Sequence, residues 1–309
     1  MTSEIEDAGL AALYALRGHT RREIETAQVT RLPGLTNRVW RVEIGSAVYS
    51  LRIPGAGTTA IIDRKAEEIN ARAAFRAGVA PEILHFGADG VMITRFIENA
   101  TALARPLLKE RAGARQRAAQ ALRRLHDMAE PFAGTFGIFA TSDRYASLLR
   151  QRGVAVSPLE QAIFREAEAV RSALAAAPAP LKPCHCDTTG ANLLNDGERV
   201  WLVDWEYSGM NDPMWDLSYL SVQADFDPPH DEELLAAYFG RAPEAAEGAR
   251  MAVLKAPVEI MSALWALVQH SAGNRSADFK GYADATFARC LERMRTAEFH
   301  RRLAALRDG

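Results

Sequence analysis

The spacing of apolar residues in the first third of the chain predicts a sheet with flanking helices. Apolar positions in residues 5–16 recur at helical spacing and stop near Gly18, a residue type that commonly caps helices. Farther along, runs rich in β-branched and aromatic residues are separated by short turns, which is typical of strands joined in hairpins. We therefore predict strands at residues 39–44, 48–53, 83–86 and 91–94, and a helix at 62–76.

The remaining two thirds of the chain predict mostly helices. Helix formers, chiefly Ala and Arg, dominate residues 103–128 and 159–176, and a Pro-Ala-Pro sequence at 178–180 breaks the pattern. Residues 257–270 are apolar almost all round, which indicates a buried helix. A length of 309 residues exceeds the usual size of one domain, so two lobes are expected.

Composition narrows the function classes. With 48% hydrophobic and 25% charged residues, a net charge of −2 and a pI near 6.4, the chain gives no electrostatic reason to expect nucleic acid as a partner. It contains no run of about 18 apolar residues, and residues 1–7 lack the features of a secretory signal. We predict no membrane span and a cytoplasmic location. Cys184 and Cys186 match no common zinc spacing, so reduced thiols are expected.

A short polar segment after residue 184 carries candidate chemistry. His185, Asp187 and Asn192 fit the H-x-D-x-x-x-x-N pattern of kinase catalytic loops. In such loops the aspartate accepts the proton of the attacking hydroxyl group, and the asparagine holds magnesium. The pattern therefore predicts a phosphoryl-transfer site. The alternative is a buried polar turn whose side chains only satisfy backbone groups.

A second candidate carboxylate follows at Asp204. The apolar runs 193–194 and 200–203 flank Asn-Asp-Gly-Glu at 195–198, which is typical of a β-hairpin. Because a hairpin returns the chain to its starting point, Asp204 is expected beside Asn192 as a second metal ligand.

A loop of small residues at 33–37 precedes the first predicted strand. Free backbone N–H groups in such a loop can bind phosphate. A plain turn explains the loop as well, since the G-x-G-x-x-G of protein kinases is absent. Arg52, in a strand that follows, carries a guanidinium that could bind phosphate oxygens through paired hydrogen bonds.

Residues 204–216, with the sequence Asp-Trp-Glu-Tyr-Ser-Gly-Met-Asn-Asp-Pro-Met-Trp-Asp, resemble the metal-binding segment of bacterial choline kinases, in the choline/ethanolamine kinase family. The resemblance extends from about Gly34 to Phe287, and the family shares its fold with aminoglycoside phosphotransferases and protein kinases. It implies an α+β, two-lobe, protein-kinase-like fold. A small antiparallel-sheet lobe would bind nucleotide (residues 1–98), and a large helical lobe would hold the catalytic and acceptor groups (residues 99–309).

The resemblance also implies which residues bind ATP. These are Thr36, Asn37, Arg52, Glu67, Arg95 and Ile97. Arg52 would take the place of the strand lysine of a kinase, with Glu67 as its ion-pair partner and Glu68 as the competing carboxylate. The last two residues belong to the segment between the lobes, whose backbone hydrogen-bonds adenine in the family.

Magnesium is the second implied cofactor. It would be held by Asn192 and Asp204, with Glu206 as a further ligand, beside Asp187 and His185 of the catalytic loop. In the family, the aspartate corresponding to Asp216 holds the backbone of that loop. His126, in a Leu-His pair that relatives share, is interpreted as structural.

The implied acceptor is choline or ethanolamine. Trp265 and Tyr282 fall where relatives place aromatic residues against the choline headgroup, and Gln223 falls at an acidic position near the cation. Two residues depart from the pattern: Ser262 replaces a Trp of some relatives, and Gln223 is neutral. Asp225 could substitute for the missing acid only if its helix is rotated or broken.

Three function classes remain open at this point. The first is a choline or ethanolamine kinase. The second is a kinase of the same fold that acts on thiamine, an aminoglycoside or a sugar, and the third is a catalytically inactive binding protein. Retention of Asp187, Asn192 and Asp204 speaks against the third class. The sequence leaves the oligomeric state open between monomer and homodimer.

Overall fold

The computed structural model describes residues 5–34, 36–55, 62–155 and 157–308. The first lobe contains one antiparallel sheet with the strand order β1-β2-β3-β5-β4. The strands are β1 (Gln28–Leu32), β2 (Arg38–Ile44), β3 (Ala47–Ile53), β4 (Ile83–Phe86) and β5 (Met92–Arg95), and the helices of this lobe are α1 (Asp7–Tyr14), α2 (Arg21–Glu25) and α3 (Arg64–Arg76). The predicted sheet and both predicted helices are confirmed.

The hairpin of β2 and β3 forms because alternate residues of β2 face a small core. Trp40, Val42 and Ile44 are buried, and the residues between them are partly exposed. Gly45 makes the turn with a φ of +60°, a conformation that glycine adopts at little cost. Leu13 of α1 belongs to the same core, which is separate from that of the second lobe.

Helix α3 connects the two lobes through polar contacts. Its N-terminus is capped by Asp63, whose side chain accepts hydrogen bonds from the amides of Lys65 and Ala66 at 3.0 Å. About two turns farther along, the Asn70 side chain donates to the carbonyl oxygen of Ser208 at 3.1 Å in the second lobe. The orientation of α3 is therefore fixed relative to both lobes.

The second lobe is mainly helical, as predicted. Its helices are α4 (Arg105–Glu110), α5 (Ala112–Met128), α6 (Ile138–Gln151), α7 (Pro158–Ala176), α8 (Pro213–Ala224), α9 (Pro228–Phe239), α10 (Ala245–Ser271), α11 (Phe279–Arg295) and α12 (Ala297–Asp308). The buried helix predicted at residues 257–270 is present, but its predicted start is wrong, because α10 begins at Ala245 and continues through Pro257.

Helix α10 is the core helix of this lobe. Within the part of the chain that the structure describes, it is the one helix long and apolar enough to cross a membrane, and 89% of its most apolar 18-residue window is buried inside the protein. Such burial is typical of the core helix of a folded domain. The absence of a membrane span, the cytoplasmic location and the oligomeric state stay predictions.

Two small sheets frame the catalytic segment. One contains β6 (Thr101–Ala102), β8 (Leu193–Asn195) and β9 (Val200–Leu202), and the other pairs β7 (Lys182–Cys184) with β10 (Gly209–Asn211). The hairpin predicted around residues 195–198 is confirmed by the antiparallel pairing of β8 and β9. Thr101 pairs with Asn195, so the chain joins the second lobe soon after residue 98. The domain boundary at that residue stays a prediction.

Candidate active site

One buried carboxylate fixes the backbone of the catalytic loop. Asp216 of α8 accepts hydrogen bonds from the amides of His185 and Cys186, both at 2.8 Å. Cys186 adopts a φ of +66°, which costs a residue with a side chain about 1–3 kcal/mol. The bonds to Asp216 stabilise this strained turn. The next residue, Asp187, lines the cleft between the lobes.

Asp187 has the environment of a base. The Asn192 side-chain nitrogen donates to the Asp187 carbonyl oxygen at 2.9 Å and to its carboxylate Oδ2 at 3.0 Å. Burial raises the pKa of Asp187 to about 6, while hydrogen bonds from Tyr219 and Asn192 oppose the rise. The carboxylate is therefore ionised at neutral pH and able to accept a proton.

The hairpin of β8 and β9 brings Asp204 to the same place. The Val203 amide donates to the carbonyl oxygen of Asn192 at 3.1 Å, and Asp204 follows with a φ of +68°. Burial, and next the charge of Glu206, raise the pKa of Asp204 to about 6, and Arg52 opposes that rise. The expected neighbourhood of Asp204 and Asn192 is thus present.

The oxygen atoms at this end of the cleft fit magnesium. Carboxylate oxygens of Glu67, Asp204 and Glu206 lie within 4.8 Å of one another. Because the Asn192 nitrogen donates to Asp187, its side-chain oxygen is the atom left for a cation. Mg²⁺ prefers carboxylate and carbonyl oxygens, so this donor set suits it.

Arg52 lies among these carboxylates. Its guanidinium contacts Glu67 at 2.5 Å and Asp204 at 2.9 Å, and its side chain is 5% exposed. The competing carboxylate, Glu68, instead pairs with Arg72 on the surface of α3. The ion pair is therefore the one expected from the resemblance.

The small-residue loop reaches the same cluster through Asn37. The Asn37 side-chain nitrogen donates to Asp204 Oδ2 at 3.2 Å and to Glu206 Oε2 at 3.0 Å, and its oxygen accepts from the Gly55 amide at 3.2 Å. Thr36 lines the cleft beside it, and Leu35 lies outside the described residues. The side chain of Asn37 thus ties the loop to the two carboxylates.

The cleft continues to a pocket rich in aromatic residues. The cleft and the pocket form one cavity of about 710 Å³, which is also lined by Arg52, Asp187 and Asp204. The aromatic residues that line it include Tyr145, Tyr207, Tyr219, Trp265, Phe279 and Tyr282. Trp265 packs edge-on against Phe279, with 5.6 Å between the ring centroids. Both predicted acceptor rings therefore face the cavity that holds the candidate base.

Comparison with known proteins agrees with this geometry. The sequence profile of the phosphotransferase enzyme family matches residues 28–253. A choline/ethanolamine kinase family protein from Mesorhizobium loti is 44% identical, with a TM-score of 0.86, over 98% of this chain and 99% of that one. The chain belongs to the choline/ethanolamine kinase family of phosphotransferases.

More distant relatives of this chain carry the name LicA. Protein LicA of Haemophilus influenzae is 32% identical over 211 residues, which span 66% of this chain and 60% of that protein. The choline kinase LicA of Streptococcus pneumoniae is 25% identical, with a TM-score of 0.71, over 86% of this chain and 92% of that one. A LicA structure in complex with AMP has the same identity and a TM-score of 0.70, over 87% and 91%.

One site prediction for this kinase needs correction. His185 was expected among the catalytic residues, but it is fully buried and, within the described ranges, does not line the cleft. Its Nε2 lies 2.9 Å from the Val203 carbonyl oxygen, and its Nδ1 lies 3.3 Å from the amide nitrogen of Asp187. His185 therefore hydrogen-bonds within the loop region and does not face the cleft.

The segment between the lobes also differs from expectation in detail. Arg95 and Ile97 both line the cleft, but Arg95 ends strand β5. The Arg95 amide donates to Glu82 at 2.9 Å and the Phe96 amide to Val48 at 3.1 Å, so neither is available to a nucleotide. Among the described residues no backbone hydrogen bond involves Ile97, which leaves its peptide groups as the candidates for adenine.

The two departures from the choline pattern belong to one polar network. Gln223 lines the aromatic pocket, and its side-chain nitrogen lies 3.4 Å from Ser262 Oγ and 3.3 Å from the Tyr282 hydroxyl. Asp225 does not supply the missing charge, because it caps α8 with a φ of +56° and pairs with Lys109 at 3.2 Å. Gln223 is therefore a neutral hydrogen-bonding group of the pocket wall.

Sequence reasoning missed several residues of the site. Arg64 ion-pairs with Glu67 and Glu206, and its i,i+3 spacing to Glu67 on α3 could have suggested the first of these pairs only. Tyr219 interacts with Asp187 and lies three residues after Asp216 on α8, so helical spacing would have placed it near the loop. The other residues that line the pocket beside Tyr219 come from elements far apart in the chain, so no local sequence pattern predicts their proximity.

Proposed function

We propose that this phosphotransferase moves the terminal phosphoryl group of ATP to the hydroxyl group of choline, with ethanolamine as the second acceptor. The observation that carries the proposal is that one cavity is lined by Arg52 and Asp204, by Asp187, and by the rings of Trp265 and Tyr282. The names of the relatives, choline/ethanolamine kinase and choline kinase, support the same acceptor.

The donor end of the cleft suits an adenine nucleotide. Apolar side chains that could cover a flat base are Val39, Ile83, Met92, Ile97, Leu194 and Val203. The AMP complex of a LicA relative supports an adenine nucleotide as the ligand. We assign the phosphates to the loop at Thr36 and Asn37 and to the guanidinium of Arg52, which Glu67 holds in place.

The hydrogen bonds of the site support the chemical roles that we assign. Asp187 orients the acceptor hydroxyl group and takes its proton, while Asn192 fixes the second carboxylate oxygen of Asp187. Asn192 and Asp204 would hold Mg²⁺, with Glu206 as a further ligand. When bound, the metal neutralises charge on the phosphates. Arg52 supplies a permanent positive charge beside it.

The acceptor end suits a small cationic alcohol. A quaternary ammonium has no N–H group to donate, so aromatic faces must hold it, each worth about 0.5–2 kcal/mol. Trp265 and Tyr282 are the rings that we assign to this role. Gln223 contributes a neutral polar contact instead of the acidic one. Because one charge and one ring are replaced, we expect weaker choline binding than in a site with both.

Two alternatives of other classes remain for experiment. A kinase of the same fold could act on thiamine, an aminoglycoside or a sugar. A catalytically inactive binding protein is disfavoured, because Asp187, Asn192 and Asp204 are all retained. The Asn192 side chain bonds Asp187, and the Asn192 carbonyl oxygen accepts from the amide of the residue before Asp204. No nucleic acid partner is expected from the near-neutral charge.

A panel of acceptors tests the proposal. ADP release would be followed with choline, ethanolamine, thiamine and kanamycin at equal concentrations, with Mg²⁺ and ATP. We expect the highest kcat/KM for choline, a lower value for ethanolamine, and background rates for the other two. A preference for thiamine or kanamycin would reassign the acceptor, and ADP release independent of every acceptor would refute the proposal.

Removal of one aromatic ring from the pocket should change KM for the acceptor but not KM for ATP. We expect Trp265→Ala to raise KM for choline by about tenfold or more, because the cation–π contact and the packing against Phe279 are lost together. KM for ATP should not change. Steady-state kinetics with each substrate varied in turn measures both constants.

Trp201→Ala is the matched control for this variant. Trp201 stacks under Arg199 on strand β9, and it is not among the described residues that line the cleft. It should leave KM for choline unchanged. An equal rise of KM for choline in both variants, or an unchanged KM for choline in Trp265→Ala, would contradict the assignment of Trp265.

The raised pKa of Asp187 predicts an acid limb in the pH profile. The base must be ionised to accept a proton, so kcat/KM should fall as pH decreases through about 6, the pKa of this group, and level off above it. The profile would be measured between pH 5 and 8 at saturating Mg²⁺·ATP. A rate that stays flat across this range would contradict an Asp187 that titrates near pH 6.

A further inference from the structure

A second arginine lies buried beside the acidic cluster, which we define as Glu67, Asp204 and Glu206. The Arg64 side chain is 7% exposed, and one of its nitrogens, Nη1, contacts Glu67 Oε2 at 2.7 Å and Glu206 Oε1 at 2.6 Å. Arg52 contacts Glu67 and Asp204 of the same cluster. The three carboxylates thus meet two guanidiniums, which offset all but one of their charges.

Glu206 and Asp204 differ in how fully their carboxylate oxygens are occupied by protein groups. Both oxygens of Glu206 are engaged, Oε1 by Arg64 and Oε2 by the Asn37 side chain at 3.0 Å. Its side chain is 4% exposed, whereas that of Asp204 is 28% exposed. Glu206 is therefore bound by groups of the first lobe, and Asp204 is the carboxylate more accessible from the cleft.

The fold provides a specific place for the Arg64 guanidinium. Gly90, in the turn between β4 and β5, has a φ of +84°, and a Cβ atom there would lie 2.6 Å from Arg64 Nε. Its carbonyl oxygen accepts a hydrogen bond from Arg52 at 3.2 Å. The missing side chain of Gly90 leaves room for Arg64, and its carbonyl oxygen binds Arg52. The turn therefore contacts both arginines.

Without its arginines the acidic cluster would be a strong site for a divalent cation. Three oxygen ligands within 4.8 Å carry three negative charges, and hard cations bind tightest where ligand charge is highest. A guanidinium that already bridges two of these carboxylates must be displaced before they can bind metal, at the cost of charge-assisted hydrogen bonds.

We propose that Arg64 is a positioning residue that holds Glu206 away from divalent cations in the nucleotide-free enzyme, so that metal binds well only together with nucleotide. The proposal rests on the proposed function for the identity of the metal-nucleotide complex. It nevertheless concerns the free protein, and its test needs no acceptor.

The test is Mn²⁺ binding to the nucleotide-free protein, measured by electron paramagnetic resonance of the free ion. Arg64→Met should bind Mn²⁺ at least about tenfold more tightly than wild type, because Glu206 loses a charge-assisted hydrogen bond and becomes available as a ligand. Arg72→Met is the matched control, since Arg72 pairs with Glu68 on the surface of the same helix. It should bind Mn²⁺ as wild type does.

Two further variants keep the test decisive. If Arg64→Met does not fold, as judged by thermal unfolding, Arg64→Lys retains the charge on a more strongly hydrated head group and should give a smaller increase in affinity. Adding Glu206→Gln to either variant should remove the gain. No gain in the folded variant, or a gain that persists with Glu206→Gln, would overturn the proposal. The Mn²⁺ measurement does not involve choline, so it remains valid even if the acceptor assay fails.

Discussion

Asp187→Asn is expected to lower kcat by about 10²–10⁴, the usual contribution of a positioned general base. The amide keeps the shape of the carboxylate and can still interact with Asn192, but it cannot take the proton of the acceptor hydroxyl group. KM for ATP should stay close to the wild-type value, because Asp187 makes no contact with Arg52 or Asn37. Steady-state kinetics with choline, together with thermal unfolding to verify the fold, measures this result.

Asp196→Asn is the control for that substitution. Asp196 lies in the turn of the neighbouring β8–β9 hairpin and accepts a hydrogen bond from the Arg199 amide at 2.8 Å. The same chemical change there should alter kcat by less than about threefold. A similarly small effect of Asp187→Asn would show that another group accepts the proton.

Asp204→Ala is expected to abolish productive binding of Mg²⁺·ATP. Among the proposed ligands, Asn192 is neutral and Glu206 is already bound by Arg64 and Asn37. Mg²⁺ needs an available carboxylate to be held against the phosphates. Activity should therefore be lost and should not return at high magnesium concentration. Isothermal titration calorimetry with Mg²⁺·ATP measures the binding directly.

Asp127→Ala provides the comparison for Asp204→Ala. Asp127 forms surface ion pairs with Arg123 and Lys182, and such pairs contribute little to stability. Its loss should leave the calorimetric titration as in wild type. An unchanged affinity for Mg²⁺·ATP in Asp204→Ala would mean that Asp204 is not the metal ligand.

The parts of the site that could be predicted are those whose geometry is set by residues close together in the sequence. The β8–β9 hairpin follows from two apolar runs and a turn sequence, and it alone brings Asp204 back to Asn192. The alternating residues of β2 and β3 likewise give the sheet that carries Arg52. In each case the spacing along the chain determines the geometry, so no distant contact had to be known.

What could not be predicted depends on distant parts of the chain. Arg64 and Glu206 are 142 residues apart, and nothing in either local sequence indicates their ion pair. Helix α10 passes through Pro257 although proline in a helix interior costs about 3 kcal/mol. Burial of its apolar side chains, each worth about 1.5–3 kcal/mol, outweighs that cost. His185 matches the motif, yet packing turns its ring toward Val203.

The central claim is that Asp187 directs phosphoryl transfer from ATP to choline. Phosphorus NMR of a reaction with ATP, Mg²⁺ and choline tests it most directly, because it resolves each phosphorus-containing product. We expect equal amounts of ADP and phosphocholine with the wild-type protein, and neither above background with Asp187→Asn. ADP accompanied by inorganic phosphate alone, or phosphocholine formed equally fast by the variant, would contradict it.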